Sequence, residues 1–209
     1  MAEPTITRIV VSQLLEMKEK WKMSTLPQNA ALILIDVQNV WDHPKWGRRN
    51  NPDAEVNIAK LLYAWRETGR PIFYFQHVEK GPDTLFRAGT VAVEIRDIVR
   101  PLEGEPVIQK HVHSAFMGTN FEERLHHEGI TTLFITGFMT NGCVETTARM
   151  AGDLDFKTHV VSDGTATFDR VGPDGVLHMA EEVHAMSLTN LHRTFATIVT
   201  TADVLRDLA

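Results

Sequence analysis

The segment Ala30-Ala31-Leu32-Ile33-Leu34-Ile35-Asp36 decides the fold, because it reads as a strand that is apolar on both faces. Such a strand is typical of a parallel sheet that is covered by helices on both sides. The apolar run ends on the acidic residue Asp36. Open parallel sheets bind their ligands beyond the carboxyl ends of the strands, so this carboxylate is a candidate site residue.

Strands and helices alternate along the rest of the chain. Further strands are predicted over residues 71–78, 106–110, 131–136, 156–162 and 196–199. One helix is predicted to begin at about residue 51. Five others are predicted over residues 91–99, 120–128, 142–151, 176–190 and 202–207. Strands separated by such helices form βαβ units with right-handed crossovers. We therefore predict a three-layer α/β/α sandwich with a mostly parallel, Rossmann-like six-stranded sheet.

Two of the predicted helices begin with a capping signal. Asn51 precedes Pro52, which favours Asn51 as the N-cap and Pro52 as the first helical residue. Thr119 and Glu122 have the spacing of a capping box. Residues 1–29 have no strong pattern, although they could form an amphipathic arm. We predict that they are an N-terminal extension of a single domain that covers residues 30–209.

Composition and charge exclude several classes of protein. The 209 residues are 43% hydrophobic, which is enough for a core, and the net charge is −6. No basic stripe is present, which argues against a nucleic-acid-binding protein. The longest apolar run, Ala30–Ile35, is too short for a membrane helix, and Met1-Ala2-Glu3-Pro4 lacks the features of a secretory signal. We expect a cytoplasmic protein that binds neither nucleic acid nor membrane.

Three ionisable residues are predicted to lie at the carboxyl ends of strands. Asp36 ends the first strand, Lys110 ends the strand over 106–110, and Cys143, the single cysteine, follows the strand over 131–136. Each also has a purely structural explanation. A lone cysteine is often a small buried apolar residue, an aspartate often caps a loop, and a lysine at a strand end is usually solvated.

Four segments in register resemble one family over most of the chain, from about Ala30 to Val199. This family is the isochorismatase-like cysteine hydrolases, which include nicotinamidase, N-carbamoylsarcosine amidohydrolase and isochorismatase. The resemblance is carried by Leu34-Ile35-Asp36-Val37-Gln38-Asn39-Val40-Trp41, by Val107-Ile108-Gln109-Lys110 with Ser114-Ala115-Phe116, by Gly137-Phe138-Met139-Thr140-Asn141-Gly142-Cys143-Val144, and by Val160-Val161-Ser162-Asp163-Gly164.

The resemblance implies a role for each of the three residues. Asp36 would be the general base, Lys110 its electrostatic partner and Cys143 the nucleophile. It also implies an oxyanion hole made by the backbone amides of Met139 and Cys143, with a cis peptide bond between Phe138 and Met139. A helix N-terminus and a nearby ammonium both stabilise a thiolate, so we expect the pKa of Cys143 to be lowered by about one unit or more.

The resemblance also suggests which side chains contact the substrate. Trp41, Phe116 and Phe138 would form apolar walls, and His77 would contact the substrate or a catalytic group. Trp41 is equally well explained as a loop aromatic that packs on the helix below. An arginine of the pair Arg48-Arg49 could bind a carboxylate, although an exposed arginine seldom does so. We expect His184 to serve packing rather than catalysis.

No metal and no cofactor are predicted. The nicotinamidase branch of the family places an acidic metal ligand where this chain has Gln76, and whether His77, Asp42 or His43 binds a metal is left open. The sequence contains no G-x-x-x-x-G-K-[ST] segment and no G-x-G-x-x-G after the first strand, so ATP and NAD sites have no support.

The resemblance, together with the presence of Cys143, implies a cysteine hydrolase that cleaves the C–N bond of a small amide or carbamoyl compound through a thioester on Cys143. One alternative is an isochorismatase-type hydrolase of another bond. The other is a catalytically silent binding or assembly module. We expect a homo-oligomer, a dimer or a tetramer, because such domains commonly assemble. The sequence does not identify the substrate.

Overall fold

A computed structural model describes residues 26–208. The strands of this part of the chain are β1 (Ala31–Ile35), β2 (Ile72–His77), β3 (Val107–Lys110), β4 (Thr132–Phe138), β5 (Lys157–Ala166), β6 (Arg170–Val171), β7 (Leu177–His178) and β8 (Thr197–Val199). Its α-helices are α1 (Ala54–Glu67), α2 (Phe121–His127), α3 (Glu145–Asp153), α4 (Ala180–Leu191) and α5 (Thr201–Leu208).

Six of the strands form one parallel sheet in the order β3-β2-β1-β4-β5-β8. The chain runs outward from β1 to β3 on one side, and then crosses over to place β4 on the other side of β1. The strand order therefore reverses between β1 and β4, and the loops after these two strands diverge. A crevice opens at such a point, and ligands of open α/β sheets bind there.

Side chains of β1 are buried on both faces, as the apolar run predicts. Leu32 and Leu34 face a core that α1 and α5 complete, and Ile33 and Ile35 face a second core against α2, α3 and α4. Helices thus cover both faces of the sheet. The predicted three-layer α/β/α sandwich with a parallel, Rossmann-like six-stranded sheet is confirmed.

The first predicted helix starts later than its capping signal indicates. Helix α1 begins at Ala54, and Asp53 precedes it without a side-chain cap. Asn51 is not an N-cap, because its side chain donates hydrogen bonds to the carbonyl oxygens of Ser162 (2.9 Å) and Thr165 (2.7 Å). The amide thus ties the loop before α1 to β5.

The predicted helix over 91–99 is wrong. This segment contains two short 3₁₀ turns, Val91–Val93 and Asp97–Val99, with extended residues between them. The extended residues pair with the loop after β1, where the Asn39 amide donates to the Glu94 carbonyl at 3.0 Å. The segment is rich in β-branched residues, whose helix propensity is low, so these tertiary hydrogen bonds prevail over the helix.

Two further helix starts differ from their predictions. The Thr119 hydroxyl donates to the Ala115 carbonyl at 2.7 Å, and α2 follows Asn120, so Thr119 and Glu122 form no capping box. The helix predicted over 176–190 begins only at Ala180, because the residues before it form strand β7, which pairs with β6 in a small antiparallel hairpin.

The predicted N-terminal arm lies outside the described residues, except for residues 26–29. Leu26 is buried, and its carbonyl accepts a hydrogen bond from the Arg70 guanidinium at 3.0 Å. Within residues 26–208, no helix combines the length and the apolar character that crossing a membrane requires.

His159 is a buried histidine without a hydrogen-bond partner among the described residues. It lies on β5, only 1% exposed, and its ring stacks on Phe134 with 4.6 Å between the ring centroids. Burial, together with a smaller effect of the charge of Lys157, lowers the pKa of His159 to about 4. The unfolded chain takes up a proton near pH 6.5 and the folded chain only near pH 4, so this residue destabilises the fold progressively across that range as the pH falls.

Replacing His159 with leucine should therefore stabilise the protein more at acidic pH than at neutral pH. The advantage of His159→Leu should grow by about 2 kcal/mol between about pH 7.5 and about pH 5. Urea unfolding at both pH values measures this difference. The matched control is His127→Leu, which replaces an exposed histidine of α2. An advantage of His159→Leu that is equal at both pH values would contradict the prediction.

Candidate active site

Asp36 lies at the sharp turn that follows β1. Its backbone adopts a positive φ of 51°, which is uncommon for a residue other than glycine. The Asp36 amide donates to the Phe75 carbonyl of β2 (3.0 Å), and the Asp36 carbonyl accepts from the Trp41 indole (2.6 Å) and the Gln38 amide (2.8 Å). These bonds hold the turn so that the carboxylate points into the crevice and is fully buried.

Lys110 ends β3, beside His77 of β2 in the sheet register. Its Nζ forms an ion pair with Oδ2 of Asp36 at 2.7 Å, and both side chains are 0% exposed. The same ammonium donates to the Val112 carbonyl at 3.1 Å and lies 3.2 Å from Nδ1 of His77. The ion pair with one of its oxygens leaves the Asp36 carboxylate lone pairs with which to take up a proton.

Cys143 lies in a wide turn, Thr140–Val144, that joins β4 to α3. The side chain is 7% exposed. Its Sγ, a carboxylate oxygen of Asp36 and a ring nitrogen of His77 all lie within 4.8 Å of one another. The structure thus brings together the three residues that the sequence singled out, and it adds His77 to them.

The expected pKa shift of Cys143 is wrong in direction. Burial, first, and the negative charge of Asp36, second, raise the pKa of the thiol to about 12, with the opposite effect of Lys110 already included. The expected shift took the ammonium and the helix N-terminus into account, but not the burial of the thiol or the charge of the neighbouring Asp36 carboxylate. Cys143 is therefore a neutral thiol at rest, and it has a carboxylate beside it that can accept its proton.

The peptide bond between Phe138 and Met139 is cis, as the resemblance implies. In the turn that follows, the Met139 carbonyl accepts hydrogen bonds from the amides of Gly142 (2.9 Å) and Val144 (3.2 Å). Assignment of the Met139 and Cys143 amides to an oxyanion hole remains a prediction.

Helix α4 braces the turn Thr140–Val144 from the outside. The Thr140 hydroxyl lies 2.9 Å from Nδ1 of His184. The Ser187 hydroxyl contacts the Thr140 carbonyl at 3.2 Å and a carboxylate oxygen of Glu145 at 2.6 Å. His184 thus has a structural role of the kind that the sequence suggested, although it acts through a hydrogen bond rather than through apolar packing.

The aromatic residues predicted to contact the substrate fall into two groups. Trp41 and Phe138 stack with 5.9 Å between their centroids, and Trp41 also contacts Phe86 at 5.5 Å. Phe116 belongs to the core on the other face, which also contains Cys143. Trp41, Phe138 and Phe116 are at most 6% exposed. Contact of these residues with a substrate remains a prediction.

The two arginines of the loop after β1 already have acidic partners. Arg48 pairs with Asp169 at 2.9 Å and with Glu181 at 2.5 Å. Arg49 pairs with Glu55 at 2.6 Å, and its guanidinium lies 5.2 Å from the centre of the Phe138 ring. A substrate carboxylate would have to displace one of these ion pairs.

The side chains considered as metal ligands do not fit a metal as they are arranged. Asp42 is held by Arg96 at 2.7 Å, and Nδ1 of His43 accepts from the Lys45 amide at 3.2 Å. Among the described residues, one group of three potential ligands lies close together, namely Asp36, His77 and Cys143. The Lys110 ammonium contacts two of these three residues, so a cation bound there would face a buried positive charge.

Sequence reasoning missed the roles of two residues near the site. Gln38 is fully buried and clamps the backbone of His77: its Oε1 accepts from the His77 amide (2.9 Å), and its Nε2 donates to the His77 carbonyl (3.0 Å). Glu79 lies 3.4 Å from Nε2 of His77. Gln38 stands two residues after Asp36 in a motif that was recognised, and Glu79 follows His77 at the i+2 spacing that places alternate side chains on one side of an extended chain.

A buried thiol thus lies beside a carboxylate–ammonium pair at the switch point of a three-layer parallel α/β sheet, which is the place where such sheets bind their ligands. The model of the isochorismatase domain matches residues 30–203. The chain belongs to the isochorismatase family, whose members are hydrolases.

Individual relatives agree with this assignment. The isochorismatase family protein YrdC of Bacillus subtilis is 44% identical over 182 residues, which cover 87% of this chain and 97% of that protein. Nicotinamidase 3 of Arabidopsis thaliana is 30% identical over 81% of this chain and 84% of its own length. The crystal structure of a hydrolase of the isochorismatase family from Chromobacterium violaceum superimposes with a TM-score of 0.87, at 39% identity over 90% of this chain and 97% of that one.

Gly137 permits the close approach of β4 and β1 immediately before the site. It pairs with Ile35 in the sheet and has a φ of +111°. A Cβ atom at this position would lie 1.9 Å from the carbonyl oxygen of Ile35, which belongs to the backbone and cannot move aside. Asp36 and its turn follow directly after Ile35, the residue that Gly137 approaches.

Replacement of Gly137 with alanine should therefore destabilise the fold by more than about 4 kcal/mol or prevent folding. Soluble yield and thermal unfolding measure the effect. The matched control is Gly81→Ala, since Gly81 has nearly the same φ, +115°, with nothing within 4 Å of the added Cβ. Equal loss of stability in both variants would show that the unusual φ, and not the approach of the strands, is responsible.

The raised pKa of Cys143 predicts slow alkylation. At about pH 7 the folded protein should react with iodoacetamide at least about tenfold more slowly than free cysteine, whose pKa is near 8.5. Because the chain has one cysteine, the mass of the intact protein reports Cys143 alone. Cys143→Ala should gain no mass, and the protein unfolded in urea should react as fast as free cysteine. A folded protein that reacts faster than free cysteine contradicts the prediction.

Proposed function

We propose that this protein hydrolyses the C–N bond of a small amide or carbamoyl compound through a thioester on Cys143. Asp36 serves as the base and Lys110 as its electrostatic partner. The observation that carries the proposal is the position of the Cys143 sulfur within 4.8 Å of the buried Asp36 carboxylate, which is itself paired with the Lys110 ammonium at 2.7 Å.

The first half of the reaction forms the thioester. Asp36 takes the proton of the Cys143 thiol as the sulfur attacks the carbonyl carbon and the carbonyl electrons move to oxygen. The backbone amides of Met139 and Cys143 are the proposed donors to that oxyanion. The C–N bond then breaks, Asp36 returns the proton to the leaving nitrogen, and ammonia or an amine departs.

The second half of the reaction hydrolyses the thioester. Asp36 takes a proton from a water molecule, whose oxygen attacks the thioester carbon. The C–S bond breaks, and the proton on Asp36 returns to sulfur, which restores the thiol. Throughout the cycle, the Lys110 ammonium stays beside Asp36 and confines its carboxylate to one position.

Two further considerations support amide chemistry. A thiol nucleophile suits acyl transfer, because a thioester forms from an amide and is then hydrolysed readily. The relative from Arabidopsis thaliana bears the name nicotinamidase, and a nicotinamidase acts on an amide. The proposed substrate is a small molecule.

The experiment is a screen for ammonia or amine release from small amides, ureas and carbamoyl compounds, with Cys143→Ala and Asp36→Asn as matched variants. Each substitution should lower kcat about a thousandfold or more, since it removes the nucleophile or the base. Rapid acid quenching followed by mass spectrometry should detect an acyl adduct on Cys143. Turnover by Cys143→Ala within about tenfold of the unaltered protein would refute the nucleophile and favour an isochorismatase-type hydrolase of another bond.

A further inference from the structure

Lys110 is a fully buried ammonium with three donors to place. One donor faces the Asp36 carboxylate at 2.7 Å, a contact that the proposed mechanism already uses. A second donates to the backbone carbonyl of Val112 at 3.1 Å. The third neighbour is Nδ1 of His77 at 3.2 Å. An ammonium can only donate, so Nδ1 must present a lone pair, and the proton of a neutral His77 ring must lie on Nε2.

The far side of the His77 ring fits this tautomer. Its Nε2 lies 3.4 Å from Oε1 of Glu79, which can accept a hydrogen bond from a protonated Nε2. The second carboxylate oxygen of Glu79 accepts from the Thr84 hydroxyl, and this hydrogen bond lowers the pKa of Glu79 and keeps it a carboxylate. Burial lowers the pKa of His77, and Lys110 adds to the effect, so the ring stays neutral.

The ring is also held on its other sides. Gln38 holds the backbone of His77 through two hydrogen bonds of 2.9 and 3.0 Å. Phe86 packs edge-on against the imidazole ring, with 4.9 Å between the ring centroids. The side chain is only about 9% exposed. The titratable and charged groups that face the ring are Lys110, Asp36, Glu79, Cys143 and, with 6.3 Å between ring centroids, His113.

We propose that His77 is a positioning residue: as an acceptor at Nδ1 it fixes the Lys110 ammonium against Asp36, and Glu79 fixes the tautomer that makes Nδ1 an acceptor. The unit Glu79–His77–Lys110 thus sets the place of the base relative to the Cys143 thiol. A buried ammonium with one unsatisfied donor would be free to tilt toward other acceptors, and Asp36 would lose its fixed partner. This inference rests on the proposed function in so far as it is read out by turnover.

The matched variants are His77→Asn and His77→Leu. Both side chains branch at Cγ and have nearly the same size, but only asparagine places an acceptor oxygen where Nδ1 stands. His77→Asn should keep kcat within about fivefold of the unaltered protein, whereas His77→Leu should lower kcat by about fiftyfold or more with KM changed less than about threefold. The acidic limb of the curve of kcat against pH should shift in His77→Leu but not in His77→Asn.

Other outcomes of this comparison overturn the proposal. Equal losses of kcat in the two variants would mean that His77 only fills space. A rise of KM in both, at unchanged kcat, would make it a substrate contact instead. Glu79→Gln should lower kcat about tenfold in the unaltered protein and should have no further effect in His77→Leu, because it acts through the ring. An additive effect there would remove Glu79 from the proposed unit.

A readout without substrate separates this proposal from the proposed function. Nitrogen-15 NMR of the imidazole rings, with the His77 signals assigned by their absence in His77→Asn, should show a protonated Nε2 and an unprotonated Nδ1 at neutral pH. A proton on Nδ1, or an imidazolium, would overturn the positioning role even if amides are hydrolysed. If no amide is turned over but the expected tautomer is found, the proposed function fails and the contact between His77 and Lys110 stands.

Discussion

The buried ion pair between Asp36 and Lys110 is the interaction on which the rest of the site depends. Each charge loses its hydration on burial, which costs several kcal/mol, so the pair is tolerable only with close geometry and further partners for the remaining donors. The fold meets this demand because β1, β2 and β3 are neighbours in the sheet, with β2 in the middle, and their carboxyl ends lie side by side. His77, at the end of the middle strand, therefore supplies its ring nitrogen to the ammonium.

The same burial gives the thiol its character. A low dielectric surrounding and a neighbouring carboxylate both favour the neutral form of Cys143, and the ammonium, which faces Asp36 at 2.7 Å, offsets only part of this. Such a thiol is a weak nucleophile until a carbonyl is in place and the proton can pass to Asp36. Because oxidation and alkylation both proceed through the thiolate, the resting protein is protected from them. The proposed mechanism thus relies on activation of the thiol at the moment of attack rather than on a permanent thiolate.

The sequence was sufficient for the features that depend on strand ends. The strands are short and apolar, each ends near a polar residue, and parallel strands bring such ends to one edge, so Asp36, Lys110 and Cys143 could be grouped in advance. The errors fall where a tertiary contact competes with a local signal. Asn51 bonds to β5 instead of capping a helix, and Glu94 pairs with the loop after β1 instead of continuing one. The predicted shift in the pKa of Cys143 was wrong for a related reason, because the spacing of residues in the sequence does not show how deeply a turn is buried.

The segment between β2 and β3 connects the predicted substrate wall to the base. Phe86 contacts both Trp41, at 5.5 Å, and His77, at 4.9 Å, and Glu79 is tied to Thr84 in the same segment. A displacement of Phe86 would therefore disturb the indole, whose N–H supports the turn at Asp36, as well as the imidazole that holds Lys110. Segments between strands differ most among proteins of one fold. Variation in this segment would consequently move the predicted substrate wall and the proposed base together, because Phe86 contacts the residues that support both.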